Sequence, residues 1–134
     1  MAKSAPNPYQ RIRADHQAET AEDYVELIAE LIAGRGEARG TEVAKRLGVS
    51  NPTVNKTLKR LQDEKLVTQE PYRAIFLTDT GKRLAAEGRR KHRIVEDFLM
   101  ALGVSPATAK VDSEGIEHHV SVETLKAMEK FLKS

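Results

Sequence analysis

The stretch TEVAKRLGVSNPTVNKTLKRL, residues 41–61, constrains this chain more than any other. Val43, Ala44 and Leu47 recur at helical spacing, with Thr41 as a candidate N-cap and Gly48 as a stop. Pro52 suits the first turn of a second helix, where its missing N–H costs nothing. That helix extends through PTVNKTLKRLQDEKL and turns Val54, Leu58 and Leu61 inward. Two helices joined by a tight glycine-containing turn form a helix-turn-helix.

The surrounding sequence completes a larger unit. Upstream, TAED begins like a capping box at Thr20, and Tyr24, Leu27, Ile28, Leu31 and Ile32 follow at helical spacing up to Gly34 and Gly36. Residues 1–19 are polar, contain two prolines and lack an apolar stripe, so a mobile tail with a solvated His16 is expected. Downstream, the period changes. LVTQEPYRAIFLT has strand composition around a Pro-centred turn, and a hairpin in that position is a wing. A long helix follows, capped by Thr78 or Asp79 and stopped by Gly103, with a stripe of Leu84, Ala85, Ile94, Val95, Phe98, Leu99 and Leu102. Two further helices are expected, SPATAKVDSEGIEHH capped by Ser105 and SVETLKAMEKFL capped by Ser121. The fold class is mostly α with a small β-hairpin wing: a winged helix-turn-helix followed by a helical domain.

The net charge of +2 hides a pattern. Residues 41–73 hold seven Lys/Arg against four Asp/Glu, and residues 82–93 hold six against one. A basic middle suits a polyanion. With three Phe, three Tyr and no Trp, stacking on single-stranded nucleic acid is disfavoured. The absence of cysteine removes disulfides, zinc–thiolate sites and thiol catalysis. No apolar run is long enough to span a membrane and no signal peptide is visible, so a cytoplasmic protein is expected. Apolar residues make up 40%, a thin supply for a lone domain of 134 residues, which a dimer interface would supplement.

A recognition helix presents its N-terminal residues to base edges in the major groove. Here those are Ser50, Asn51, Pro52, Thr53, Asn55 and Lys56. Asn can bridge adenine, and Thr or Pro can touch a thymine methyl. Lys56, Lys59 and Arg60 suit phosphates, Arg73 at the wing tip suits a neighbouring groove or backbone, and Thr41 joins the set from the preceding helix. A helical hairpin with ordinary exposed polar residues, or a protein-contact module, is the competing reading. The order of turn, basic helix and wing favours DNA.

The second unusual stretch is DSEGIEHHVS, residues 112–121. On a helix, Glu114, Glu117 and His118 would share one face, where like charges repel unless a cation joins them. Asp23 and Glu26 lie three apart on the first helix, and His92 lies on the long helix one turn before Glu96. The set Asp23, Glu26, His92, Glu114, Glu117 and His118 offers four carboxylates and two imidazoles, which suits Mn²⁺ or Fe²⁺ as one or two ions per subunit. By spacing alone, solvated helix faces explain these residues equally well.

From about Thr20 to Leu132 the chain resembles the diphtheria toxin repressor family of metal-dependent transcription factors, in its manganese transport regulator branch. EDYVELI, RLGVSNPTVNKTLKRL, YRAIFLTDTGKRLA, KHRIVEDFLMALGVS and EGIEHHVS carry the resemblance. It implies metal ligation by Asp23, Glu26, His92, Glu114, Glu117 and His118. Iron-responsive members have a Met near the Asp23 position and a Cys at the Glu114 position, and this chain has neither, which favours Mn²⁺ over Fe²⁺. His119 is not carried over as a ligand. The wing reads YRA where a Gly after the Arg is common, and a C-terminal barrel of the iron-sensing members is not expected here.

The expected organisation is a mobile tail at 1–19, read from its composition, a winged helix-turn-helix DNA-binding domain at 20–81 and a helical dimerisation and metal-binding domain at 82–134. The expected function is a homodimeric regulator that binds double-stranded operator DNA and represses manganese uptake genes when Mn²⁺ is bound. Alternatives are an iron-responsive regulator of the same fold, a winged-helix repressor answering to a small organic molecule, and a dinuclear metal hydrolase. The last lacks a separate general base, so an enzyme is not expected.

Overall fold

The first helix starts earlier than the Thr20 signal suggests. In the computed structural model, which describes residues 7–70 and 73–134, α1 spans Pro8–Arg35. Asn7 initiates it: its side-chain Oδ1 accepts from the Tyr9 amide at 2.8 Å and its carbonyl accepts from the Arg11 amide at 3.0 Å. Pro8 then occupies the position where its ring is pre-set for helix. Thr20 is not a cap, because its hydroxyl donates to the His16 carbonyl one turn back at 3.0 Å. Residues 8–19, expected as a mobile tail, are therefore helical. The rest of that tail, residues 1–6, lies outside the described residues, as do Pro71 and Tyr72 at the expected wing turn.

The remaining elements are α2 (Gly40–Leu47), α3 (Asn51–Asp63), β1 (Val67–Thr68), β2 (Phe76–Leu77), α4 (Asp79–Ala101), α5 (Pro106–Ile116) and α6 (Val122–Lys133). The chain divides into two units, residues 21–88 and residues 1–20 with 89–134. The divisions fall inside α1 and inside α4, which are each continuous.

In the 21–88 unit, Tyr24, Val25, Ile28 and Leu31 of α1 pack with Val43 of α2, Val54, Leu58 and Leu61 of α3, and Ile75 before β2. Local signals set the joints. Gly48 ends α2 at φ 70, and the Ser50 hydroxyl caps α3 by accepting from the Thr53 amide at 3.3 Å. α3 stops at Asp63, short of the expected run to Leu66, because Lys65 turns left-handed at φ 61 and the Leu66 amide reaches back to the Leu61 carbonyl at 2.9 Å.

The wing pairs Val67 with Leu77 and Thr68 with Phe76, antiparallel. A bridge between Ala38 and Ile75 adds a third extended segment, with the Ile75 amide donating to the Ala38 carbonyl at 2.8 Å. That bridge moves the start of α2. The chain enters the helix from extended backbone at Arg39, which takes the cap position without a side-chain bond, so Thr41 is not the cap.

Thr78 joins wing to helix. Its hydroxyl donates to the Lys65 carbonyl at 2.7 Å and accepts from the Gly81 amide at 3.0 Å. Gly81 is required by the close approach of α4 to the strand, since a Cβ there would strike the Leu66 carbonyl. Gly81→Ala is expected to destabilise the protein by about 1–3 kcal/mol, the range for an overpacked site. A urea titration checks it: the midpoint falls at constant slope.

In the other unit, Ile94 and Val95 of α4 pack against Leu125 of α6, with Leu99, Val120, Met128 and Leu132 around them. Phe98 and Phe131 meet edge to face at 5.4 Å. Ser105 and Ser121 cap α5 and α6, accepting from Thr108 and Thr124 amides at 3.3 and 3.2 Å. Gly103 follows α4 at φ 102. α5 ends at Ile116, so Glu117 is a C-cap and His118 and His119 lie in a turn. Glu117 keeps helical backbone, its amide donating to the Ser113 carbonyl at 3.0 Å, so Glu114 and Glu117 retain the expected helical spacing while His118 lies in the turn beyond it.

Candidate metal centre and nucleic-acid interface

In the 21–88 unit, Thr41, Asn51, Asn55 and Arg73 line one cleft together with Arg39, Gly40 and Gln69. Pro52, Thr53, Lys56 and Lys59 are exposed on α3. Ser50 is exposed, but its hydroxyl is engaged in the cap and lies 2.9 Å from the Thr53 hydroxyl. Arg60 is half-buried and pairs with Glu64 at 3.6 Å, and Arg73 pairs with Glu70 at 3.2 Å. Both arginines must therefore exchange a carboxylate to reach a phosphate. Arg39 and Gln69 escape sequence reasoning because neither belongs to the recognition helix; the Ala38–Ile75 bridge brings Arg39 to the cleft edge.

The acidic motif gathers around His92. His92 projects from α4 between two sets of acids. Its Nε2 lies 2.8 Å from Glu96 Oε2, one helical turn on. Its Nδ1 lies 3.0 Å from Glu117 Oε2 and 3.6 Å from Glu114 Oε1. Ser113 Oγ approaches the same nitrogen at 3.5 Å and donates to the Lys110 carbonyl at 3.0 Å. His118 Nε2 lies 3.3 Å from Glu117 Oε1.

Glu117 is 1% exposed and His118 is 6% exposed, so this corner is built into the protein and is not a solvated face. One ligand atom each from His92, Glu114 and Glu117 lies within 4.8 Å of the others. That separation suits a first-row divalent cation, and the donors are oxygens and an imidazole nitrogen with no thiolate. Glu96 supplies what an imidazole ligand needs, a carboxylate holding the ring from its far nitrogen. Its i+4 spacing from His92 is the sequence signal for that role. Ser113 had no sequence signal.

Asp23 and Glu26 belong to the 21–88 unit, three residues apart on α1 and each half-buried. The Glu26 carboxylate lies where a Cβ on Gly88 of α4 would fall. The glycine leaves room for it in this arrangement.

Two family models cover the chain. The iron dependent repressor N-terminal DNA binding domain matches residues 16–75, and the iron dependent repressor metal binding and dimerisation domain matches residues 78–134. The Transcriptional regulator MntR of Escherichia coli O6:H1 is 53% identical over 123 residues, covering 92% of this chain and 79% of that protein. Among solved structures, the manganese regulator SloR superposes with a TM-score of 0.72 at 33% identity, covering 84% of this chain and 53% of the other. A manganese-dependent transcriptional repressor in complex with manganese gives 0.75 at 30% identity, covering 84% and 52%. The chain thus spans about half the length of those two structures. It belongs to the iron dependent repressor family, in the manganese transport regulator branch, a class of transcriptional regulators and not of enzymes. Among the described residues, no helix is long and apolar enough to cross a membrane.

Proposed function

We propose that this chain is a cytoplasmic, manganese-responsive regulator that acts as a homodimer on double-stranded operator DNA and represses manganese uptake genes when Mn²⁺ is bound. The observation that carries the reading is the convergence of His92, Glu114 and Glu117 on one small space with hard and borderline donors. In this reading Asp23, Glu26 and His118 complete the ligand set for one or two ions. Residues 20–81 read DNA, and residues 82–134 hold the dimer and the metal.

When bound, the cation supplies the positive charge that lets several carboxylates share one region. The chain does the rest. Asp23 and Glu26 lie on the helix whose later turns form the core under α2 and α3. Engaging them together with the α4 and α5 residues ties the placement of the recognition helices to metal occupancy. In a two-fold dimer those helices must sit about 34 Å apart to enter successive major grooves. A hundredfold preference of metal for the DNA-competent arrangement is worth about 2.7 kcal/mol.

The test is fluorescence anisotropy on the protein's own promoter DNA at fixed salt, in chelator and then with Mn²⁺, Fe²⁺, Zn²⁺ or Co²⁺. The expected result is binding roughly a hundredfold tighter with Mn²⁺ than in chelator. Equal binding in both conditions overturns the metal response, and a response to Fe²⁺ at lower free concentration than Mn²⁺ reassigns the effector.

A further inference from the structure

We propose a second, accessory divalent-cation site formed by His16, Glu19 and His119. It shares none of the six residues assigned above, although ligand atoms of Glu19 and His118 also lie within 4.8 Å of each other, and it takes a borderline cation such as Zn²⁺. All three residues lie in the unit formed by residues 1–20 and 89–134. His16 and Glu19 stand three apart on α1 and so share a face. His119 comes from the turn after α5. One ligand atom of each lies within 4.8 Å of the others.

The geometry is close to coordination already. His119 Nε2 lies 3.2 Å from Glu19 Oε2. Two ligands each about 2.0 Å from a tetrahedral Zn²⁺ stand roughly 3.3 Å apart. The His16 ring meets the His119 ring edge-on, with centroids 5.8 Å apart, and His16 is exposed, so a side-chain rotation closes the third bond. Arg11 donates to the His119 carbonyl at 3.3 Å, which holds the turn against α1. Two imidazoles and one carboxylate rank Zn²⁺ and Co²⁺ above Mn²⁺. One tetrahedral position remains for water.

The consequence is structural. From Pro8 to Ala18 the described side chains of α1 are exposed, so little packing holds this part of the helix. A cation joining His16 and Glu19 to His119 clamps it to the turn that carries His118.

The experiment is metal counting by equilibrium dialysis with Zn²⁺, paired with the visible absorption of bound Co²⁺ and with hydrogen exchange. The proteins are wild type, His16→Ala, His119→Gln and Glu117→Gln, each checked for helix content by circular dichroism. The expected result is that His16→Ala and His119→Gln each lose one Zn²⁺ equivalent per chain, while Glu117→Gln keeps it. Zn²⁺ should also slow exchange across residues 8–19 in wild type and in Glu117→Gln but not in His16→Ala. Equal Zn²⁺ counts in wild type and His16→Ala, with no exchange protection, overturn the site. Because Glu117→Gln keeps the accessory equivalent, failure of this site and failure of the manganese response are read separately.

Discussion

Replacing Glu117 by glutamine removes the manganese response of DNA binding while the protein remains folded. The side chain is 1% exposed and stands 3.0 Å from His92 Nδ1 and 3.3 Å from His118 Nε2, between both imidazoles of the proposed ligand set. Glutamine keeps the volume and one carbonyl oxygen but loses the charge that a divalent cation needs. The anisotropy gain on adding Mn²⁺, about a hundredfold in wild type, should collapse to less than about threefold, a loss on the order of 2 kcal/mol of coupling. Thermal melts in chelator separate this from unfolding, because the variant should melt within a few degrees of wild type while the rise in Tm on adding Mn²⁺ disappears. A full manganese response in Glu117→Gln would remove Glu117 from the ligand set.

Leu58→Ala should strongly destabilise the unit formed by residues 21–88. Leu58 is 1% exposed and packs on α3 within the cluster that includes Val25, Ile28, Val43 and Val54. Truncation loses its transfer free energy and leaves a cavity that rigid helix backbones fill incompletely, at a cost of about 2–5 kcal/mol. For a chain with marginal stability that is a large share of the total. Leu102→Ala is the control, since Leu102 is 59% exposed and its loss should stay within about 0.5 kcal/mol. Urea midpoints of the two variants decide it, and similar shifts would mean that α3 is not anchored by this core.

Legibility followed the range of the interaction that decides each feature. The caps at Ser105 and Ser121 and the left-handed stops at Gly48 and Gly103 were readable because each is completed within a few residues, whereas Ser50, read as a base contact, turns out to cap α3. The inward positions Val54, Leu58 and Leu61 followed from spacing alone. The start of α1 lies at Asn7 and Pro8, ahead of the capping-box pattern at Thr20. The polar composition of residues 8–19 hid the helix, since periodicity marks a buried face and this segment has almost none.

By itself, the sequence determined the helical inventory, the winged order of elements and the donor chemistry of carboxylates and imidazoles without thiol. These are properties of residue type and local spacing. The tertiary structure decided which atoms meet. Glu117 leaves the helix at its C-cap and reaches His92 Nδ1, while Glu96 takes Nε2. Ala38 bridges Ile75 and delivers Arg39 to the cleft that Asn51 and Asn55 line. Such contacts join residues far apart in the chain, and their geometry depends on how helices pack, which local propensity does not encode.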